Sequence, residues 1–168
     1  MNSKGVFIIG VIRLEKAYSK AKDIAIYYLG YRARSEKEVV DKLSSKGYDK
    51  SIIDKVIDFL KEYDYVNDKK FADSYVRDKN RFKPVGRKKL AYELKQKGIS
   101  NEIIDHVLDN TDLNELDSAL RLIRKKAPNS TLDIKEKQKI YQFLSRRGFD
   151  YYIIKQALEK FYAEDMIE

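Results

Sequence analysis

The chain has 168 residues, of which 43% are hydrophobic and 37% are charged, and its formal net charge is +8. It has no cysteine, which excludes disulfide bonds and thiolate metal sites, and only two prolines and seven glycines, which disfavours a turn-rich sandwich or barrel. We therefore predict an all-α protein of one domain or a short array of small units. No apolar run approaches the roughly 20 residues that span a bilayer, so we expect a cytoplasmic protein.

Residues 1–20 are predicted to form an N-terminal extension. Their apolar run, Val6–Ile12, has only seven residues, and no Ala-x-Ala cleavage site follows it. We interpret this run as a packed strand or helix end, or as a partly disordered terminus.

Three copies of one unit follow the extension. Gly47, Gly98 and Gly148 lie 51 and 50 residues apart. Each glycine has a leucine four residues before it and an Ile-Ile pair five and six residues after it. Glycine stops a helix because it adopts the left-handed backbone cheaply, and the Ile-Ile pair begins the apolar face of the next helix. The residues two after each glycine (Asp49, Ser100 and Asp150) are predicted N-caps.

A further helix precedes each of these pairs. It is predicted over about residues 21–31 in the first copy, with Asp68 as its cap in the second, and from near Asp112 in the third. The connections into the next helix are a capping box at Ser35 and Glu38, residues 81–86, and residues 126–133. We thus predict three tandem three-helix repeats, at 21–66, 67–111 and 112–168, that stack into an elongated, curved array.

The sequence offers little for catalysis. Its only histidine is His106, and a lone histidine is more often a surface residue than a catalyst. The glycines are too isolated for a phosphate loop, and no carboxylates have EF-hand spacing. We predict a protein that is not an enzyme and that holds no metal and no cofactor.

Positive charge is concentrated in two blocks. Residues 77–98 and residues 119–148 each carry nine basic and two acidic side chains, whereas residues 99–118 carry six acids and no Lys or Arg. Such clusters can neutralise phosphates, although solvated helix faces are the alternative for single residues. The candidate DNA- or partner-binding residues are Lys79, Arg81, Lys83, Arg87, Lys88, Lys89, Arg121, Arg124, Lys125, Lys126, Arg146 and Arg147.

Aromatic residues are not expected to form a stacking platform. Phe82 lies in the basic connection and could stack on a base, but packing in the core is the favoured interpretation. The thirteen tyrosines fall mostly at core spacing. The last helix of each copy carries acids such as Asp54, Asp105 and Glu159, so contact with nucleic acid should be with the backbone and non-specific.

The three copies resemble the RecX family of recombination regulators over about residues 20–162. The resemblance depends on motifs that occur in the family's order: Tyr28-Leu29, Arg32, Arg34-Ser35-Glu36, Val39, Leu43 and Lys46-Gly47, then Asp68, Phe71-Ala72, Tyr75-Val76, Gly86-Arg87, Glu93-Leu94 and Lys97-Gly98-Ile99, then Leu144, Gly148-Phe149 and Ile153-Ile154. It implies three three-helix repeats and a non-enzymatic protein. It also implies binding to the RecA recombinase and its filament on single-stranded DNA, with inhibition of ATP hydrolysis and strand exchange and modulation of recombination and the SOS response.

Two other interpretations stay open. The chain could be a non-specific DNA-binding repeat protein that acts without RecA, or a helical scaffold for an acidic peptide. In each case we expect a monomer with no membrane contact.

Overall fold

The computed structural model describes residues 3–127 and 133–165. Within these ranges the chain forms nine α-helices and no strand, which confirms the all-α prediction. In chain order they are α1 (Ser3–Leu29), α2 (Glu36–Ser44), α3 (Lys50–Glu62), α4 (Asp68–Phe82), α5 (Arg87–Gln96), α6 (Asn101–Asn110), α7 (Glu115–Lys126), α8 (Ile134–Arg146) and α9 (Tyr151–Asp165). Residues 128–132 of the third predicted connection lie outside the described ranges.

The three glycine turns are confirmed in detail. Gly47, Gly98 and Gly148 have φ angles of 81°, 82° and 81°, which is the left-handed region that glycine enters without steric cost. The amide of Tyr48 donates to the carbonyl of Leu43 at 3.4 Å, the long-range bond of a Schellman turn. The leucine four residues before each glycine is fully buried. A short local sequence signal therefore ends α2, α5 and α8.

The predicted N-caps behave differently from one another. The Ser100 hydroxyl accepts from the amide of Ile103 at 3.3 Å, and the Asp150 carboxylate accepts from the amide of Tyr152 at 3.1 Å. Asp49 occupies the same position but makes no side-chain capping bond. The position is thus confirmed at all three helices, while the capping bond is confirmed at two.

Helix α1 begins much earlier than the sequence predicted. It starts at Ser3 rather than near residue 21, and it contains the run Val6–Ile12, so the strand interpretation of that run was wrong. Residues 3–29 contain no proline, and two isolated glycines weaken a helix without ending it. Ala17 and Tyr18, from the predicted extension, pack against the same core as Ala21 and Ala25.

The chain forms two compact units, and the first comprises Met1–Phe71 with Lys97–Ile99. Its buried core is Ala21, Ala25, Val39, Leu43, Ile52, Ile53, Val56, Ile57, Leu60 and Val66. The fully buried Ser35 hydroxyl donates to the carbonyl of Lys97 at 2.7 Å, which fastens the 97–99 segment to the start of α2. The same hydroxyl accepts from the amide of Glu38, completing the predicted capping box.

The predicted role of Asp68 was wrong. The cap of α4 is Asn67, whose side-chain oxygen accepts from the amide of Lys70 at 3.0 Å. The carboxylate of Asp68 instead accepts from the amide of Glu36 at 2.8 Å and so closes the start of α2. Burial raises the pKa of Asp68, against the hydrogen bond from Glu36. Adjacent polar residues can both fit a cap, and only the tertiary contact distinguishes them.

The second unit comprises Ala72–Gln96 with Ser100–Glu168. Its main core cluster is Ala119, Leu120, Ile123, Ala127, Ile140, Leu144, Phe149, Ile154, Ala157 and Phe161. Gly86, just before α5, donates its amide to the carbonyl of Arg147 at 2.9 Å. A Cβ atom on Gly86 would lie 2.2 Å from the carbonyl oxygen of Gly148, so only glycine fits this approach. This contact repeats, one copy later, the contact that Ser35 makes with Lys97.

Candidate nucleic-acid and partner interface

Lys79, near the end of α4, is held by neighbouring side chains. Its ammonium lies 2.7 Å from the carboxylate of Glu93, which also accepts from the hydroxyl of Tyr75 at 2.8 Å. Burial alone would raise the pKa of Glu93, but the bonds from Lys79 and Tyr75 lower it. This lysine is therefore part of an internal network that joins α4 to α5.

Arg87 is tied even more firmly at the start of α5. Its guanidinium donates to the carbonyl of Leu108 at 2.7 Å and pairs with the carboxylate of Asp109. Its backbone amide donates to the carboxylate of Glu115 at 2.8 Å. Glu115 thus closes the start of α5 as Asp68 closes the start of α2. The structure gives Arg87 a role in packing α5 against α6 and α7.

Lys88 and Lys89 point to the last glycine turn. The ammonium of Lys88 lies 2.7 Å from Asp150 and keeps the pKa of that carboxyl below its usual value. Lys89 donates to the carbonyl of Arg146 at 3.4 Å. From the turn itself, Arg147 donates to the carbonyl of Pro84 at 3.3 Å. Cations that the sequence places in two separate blocks therefore converge around one turn.

The third repeat's first helix carries the other predicted cluster. The guanidinium of Arg121 pairs with Asp117 at 3.1 Å, one turn earlier in α7. Lys126 lies over the ring of Phe143, with 4.7 Å between its ammonium and the ring centroid. Arg124 and Lys125 are exposed in the last turn of α7, where cations also favour the helix dipole.

A few predicted cations keep their charge available. Lys83, Lys125 and Arg146 make no ion pair with any residue that the structure describes. The guanidinium of Arg81 lies 5.1 Å from the ring centroid of Phe82. Phe82 itself is 67% exposed, so the prediction that it packs in the core was wrong. Phe82 is the last residue of α4, next to a short connection, and its ring lies mostly in solvent.

The prediction that most tyrosines lie in the core was also wrong. Eight of the thirteen are exposed: Tyr27, Tyr31, Tyr63, Tyr65, Tyr92, Tyr141, Tyr151 and Tyr152. Their helical spacing predicted that they lie on the apolar faces of their helices. The apolar face of a helix is wider than the part that a neighbouring helix covers, so residues at its edge stay exposed. The acids predicted on the last helices are exposed as expected, for example Asp54, Asp105 and Glu159.

Among the described residues, no group of histidines and carboxylates could hold a metal ion. His106 is exposed on α6. The part of the chain that the structure describes also contains no helix long and apolar enough to cross a bilayer. The fold and the surface together define a class: an all-α protein of three-helix repeats that presents cations and exposed rings.

Comparison with known proteins places the chain within that class. The family models described as the first, second and third three-helix domains of RecX match residues 21–60, 67–108 and 114–158. These matches cover most of the chain, in order. The chain belongs to the RecX family.

Similar curated proteins are named Regulatory protein RecX. One from Clostridium botulinum (strain Alaska E43 / Type E3) is 39% identical over 155 residues, which are 89% of this chain and 72% of that protein. One from Chlorobium phaeobacteroides (strain BS1) is 40% identical over 146 residues, covering 85% of this chain and 94% of that protein. The crystal structure of RecX from Lactobacillus salivarius superposes with a TM-score of 0.76 at 31% identity, covering 88% of this chain and 97% of that one.

Proposed function

We propose that this protein is a non-enzymatic regulator of the RecA recombinase. It binds the RecA filament on single-stranded DNA, lowers ATP hydrolysis and strand exchange, and so modulates recombination, DNA repair and the SOS response. It acts in the cytoplasm as a monomer and needs no cofactor. The observation that carries the proposal is the ordered match of all three RecX domains.

The ion pairs reduce the number of candidate residues for contact with the filament. A cation already paired with a carboxylate adds little net charge to a surface, whereas an unpaired one can neutralise a phosphate and release a counterion. Arg81, Lys83, Lys125 and Arg146 are among the predicted residues that meet this condition, and all four belong to the second unit. Arg87 and Lys79 do not meet it, because their partners hold them within the fold.

The test is a titration of the protein against preformed RecA filaments while DNA-dependent ATP hydrolysis is followed. We expect sub-stoichiometric protein to lower the rate. The variant Arg81→Glu/Lys83→Glu should inhibit less and should unfold at the same denaturant concentration as the wild type.

A matched control is available in the first unit. Lys55 and Lys69 are exposed and make no ion pair with a described residue, so Lys55→Glu/Lys69→Glu changes the net charge equally. Equal loss of inhibition by both variants would point to net charge rather than to the 81–83 surface. A complete lack of inhibition by the wild type at every ratio would refute the proposal.

The second candidate is a DNA-binding repeat protein that acts without RecA, and the same unpaired cations favour it. If those four cations alone contact phosphates, log K for single-stranded DNA falls with log salt with a slope of about −3, and each further contact makes the slope steeper. Tight binding to bare DNA, together with no effect on the filament, would favour this candidate. Weak binding to bare DNA and strong binding to the filament would favour the first.

A further inference from the structure

Three exposed tyrosines form a continuous cluster at the last glycine turn. The rings of Tyr141 and Tyr151 lie 6.3 Å apart, and those of Tyr151 and Tyr152 lie 5.5 Å apart. The interplanar angles are 65° and 77°, so each contact joins the edge of one ring to the face of the other. In an edge-to-face pair, the ring that presents its edge keeps both of its faces free of the partner ring.

The repeat does not need these rings. At the positions equivalent to Tyr151 and Tyr152, the first copy has Lys50 and Ser51, and the second has Asn101 and Glu102. All three helices form, so polar residues serve equally well there. Tyr151 is 54% exposed and Tyr152 is 73% exposed. The core beneath them is filled by other side chains, including Phe149 and Ile154.

Several cations lie at the same turn as the rings. Asp150, the acid beside Tyr151, is already neutralised by Lys88 at 2.7 Å. Arg146 makes no ion pair within the described part of the chain. Lys89 donates to the Arg146 carbonyl, and Arg147 donates to the carbonyl of Pro84. Because both of these acceptors are neutral oxygens, neither bond cancels the charge of its cation. The carboxylate that interacts electrostatically with Lys89 is Glu93, which is already paired with Lys79. Arg146 and Arg147 give the turn its positive surplus.

We propose that the Tyr141, Tyr151 and Tyr152 cluster is a stacking site for the bases of single-stranded DNA. The cations of the turn contact the phosphates, and the open ring faces receive unstacked bases. Bases in a duplex are already stacked on one another, so the site discriminates against double-stranded DNA. A protein partner fits less well at Lys88 and Lys89, because lysine is depleted in protein interfaces, whereas Tyr and Arg are enriched there. This inference deepens the proposed function by assigning its DNA contact to named residues.

The test measures binding of fluorescein-labelled oligo(dT) and of a duplex of equal length by fluorescence anisotropy. The variant Tyr151→Leu/Tyr152→Leu keeps apolar bulk and removes the rings. We expect its affinity for oligo(dT) to fall by about 10-fold or more, with little change for the duplex. Tyr151→Phe/Tyr152→Phe keeps the rings and should retain the affinity.

Tyr63 and Tyr65 supply the matched control. They are 59% and 54% exposed, and two cations near them in the sequence, Lys61 and Lys70, are paired with Glu36 and Asp64. Tyr63→Leu/Tyr65→Leu should leave oligo(dT) binding unchanged. If the 151/152 leucine variant melts at a lower temperature than the wild type, Tyr151→Asn/Tyr152→Ser replaces it, because the other copies carry those residue types at these positions.

Three results would overturn the inference. They are an unchanged affinity of the ring-free variants, an equal loss in the control, and the absence of oligo(dT) binding by the wild type at low salt. A variant that binds oligo(dT) normally but no longer inhibits the filament would assign the cluster to the recombinase instead. If the wild type binds oligo(dT) through these rings but never affects the filament, the stacking site stands and the proposed function fails.

Discussion

Glu38 should make the first unit sensitive to acid. Its carboxylate accepts from Arg32 at 2.8 Å, from Lys97 at 3.2 Å and from the amide of Ser35 at 3.2 Å. Its side chain is only 18% exposed. Burial by itself would raise the pKa of Glu38, but these three donors outweigh it and lower the pKa from 4.5 to about 2.

The magnitude follows from that pKa. At about 1.4 kcal/mol for each pH unit, the ionised carboxylate is worth roughly 3 kcal/mol to the folded state. Solvent screening reduces this figure, because Arg32 is half exposed, and we expect about 1–2 kcal/mol. Since the folded-state pKa is the lower one, this stability is present above pH 4.5 and is lost as the pH falls towards 2.

The variant Glu38→Gln isolates this contribution. At pH 7 its free energy of unfolding should be about 1–2 kcal/mol below that of the wild type. The difference should shrink between pH 4.5 and pH 2, as measured by urea denaturation followed by far-ultraviolet circular dichroism. Glu62→Gln, on an exposed side chain, is the control and should match the wild type at neutral pH. A difference between wild type and Glu38→Gln that stays constant over that pH range would refute the reasoning.

The remaining predictions concern packing. Gly86→Ala should lower the free energy of unfolding by about 3 kcal/mol or more, because its Cβ meets the Gly148 backbone; a melting temperature equal to that of the wild type would contradict this. Gly47→Ala should lower the free energy of unfolding only by the left-handed strain, about 1–2 kcal/mol. Gly98→Ala should lower it further, because its Cβ would lie 2.5 Å from the Cβ of Lys37. Denaturant unfolding of both variants compares the two losses. Leu94→Ala should lower the free energy of unfolding by about 2–5 kcal/mol, as measured by calorimetry, because Leu94 is fully buried. Tyr92→Ala, at an exposed position, should lower it by less than about 0.5 kcal/mol. Similar losses in the two variants would show that Leu94 is not a core residue.

The sequence predicted the parts of the fold that depend on local chemistry. A left-handed glycine, a cap two residues later and an Ile-Ile pair are each determined within one turn of chain, so all three copies of the turn could be found. The length of α1 could not be predicted in this way, because residues 3–20 contain no residue that ends a helix, and the packing of Ala17 and Tyr18 against the core is a tertiary contact. Asp68 and Asn67 illustrate the same limit, since both have cap chemistry.

The candidate interface was predicted less well, for a physical reason. Charge along the sequence locates basic residues, but their partners lie far away in the chain, as Lys88 and Asp150 show. The burial of an aromatic residue also depends on whether a neighbouring helix packs over its side of the helix. Periodicity correctly placed Tyr151 and Tyr152 in a helix, but it predicted that their rings are buried, whereas both are exposed. A signal was nevertheless present, because the third copy differs from the other two at these positions.

Gly47 differs from its two counterparts in one respect. Its backbone has the same left-handed angle as theirs, but no atom of the described residues lies within 4 Å of the place where its Cβ would be. Lys37 and Lys89 fill the corresponding space at Gly98 and Gly148. The first repeat thus carries the same acceptor surface that the second and third repeats use for their predecessors. A protein engineer could therefore fuse an additional repeat ahead of the first, with a serine or glycine placed to meet the carbonyl of Lys46, and lengthen the protein by a whole module.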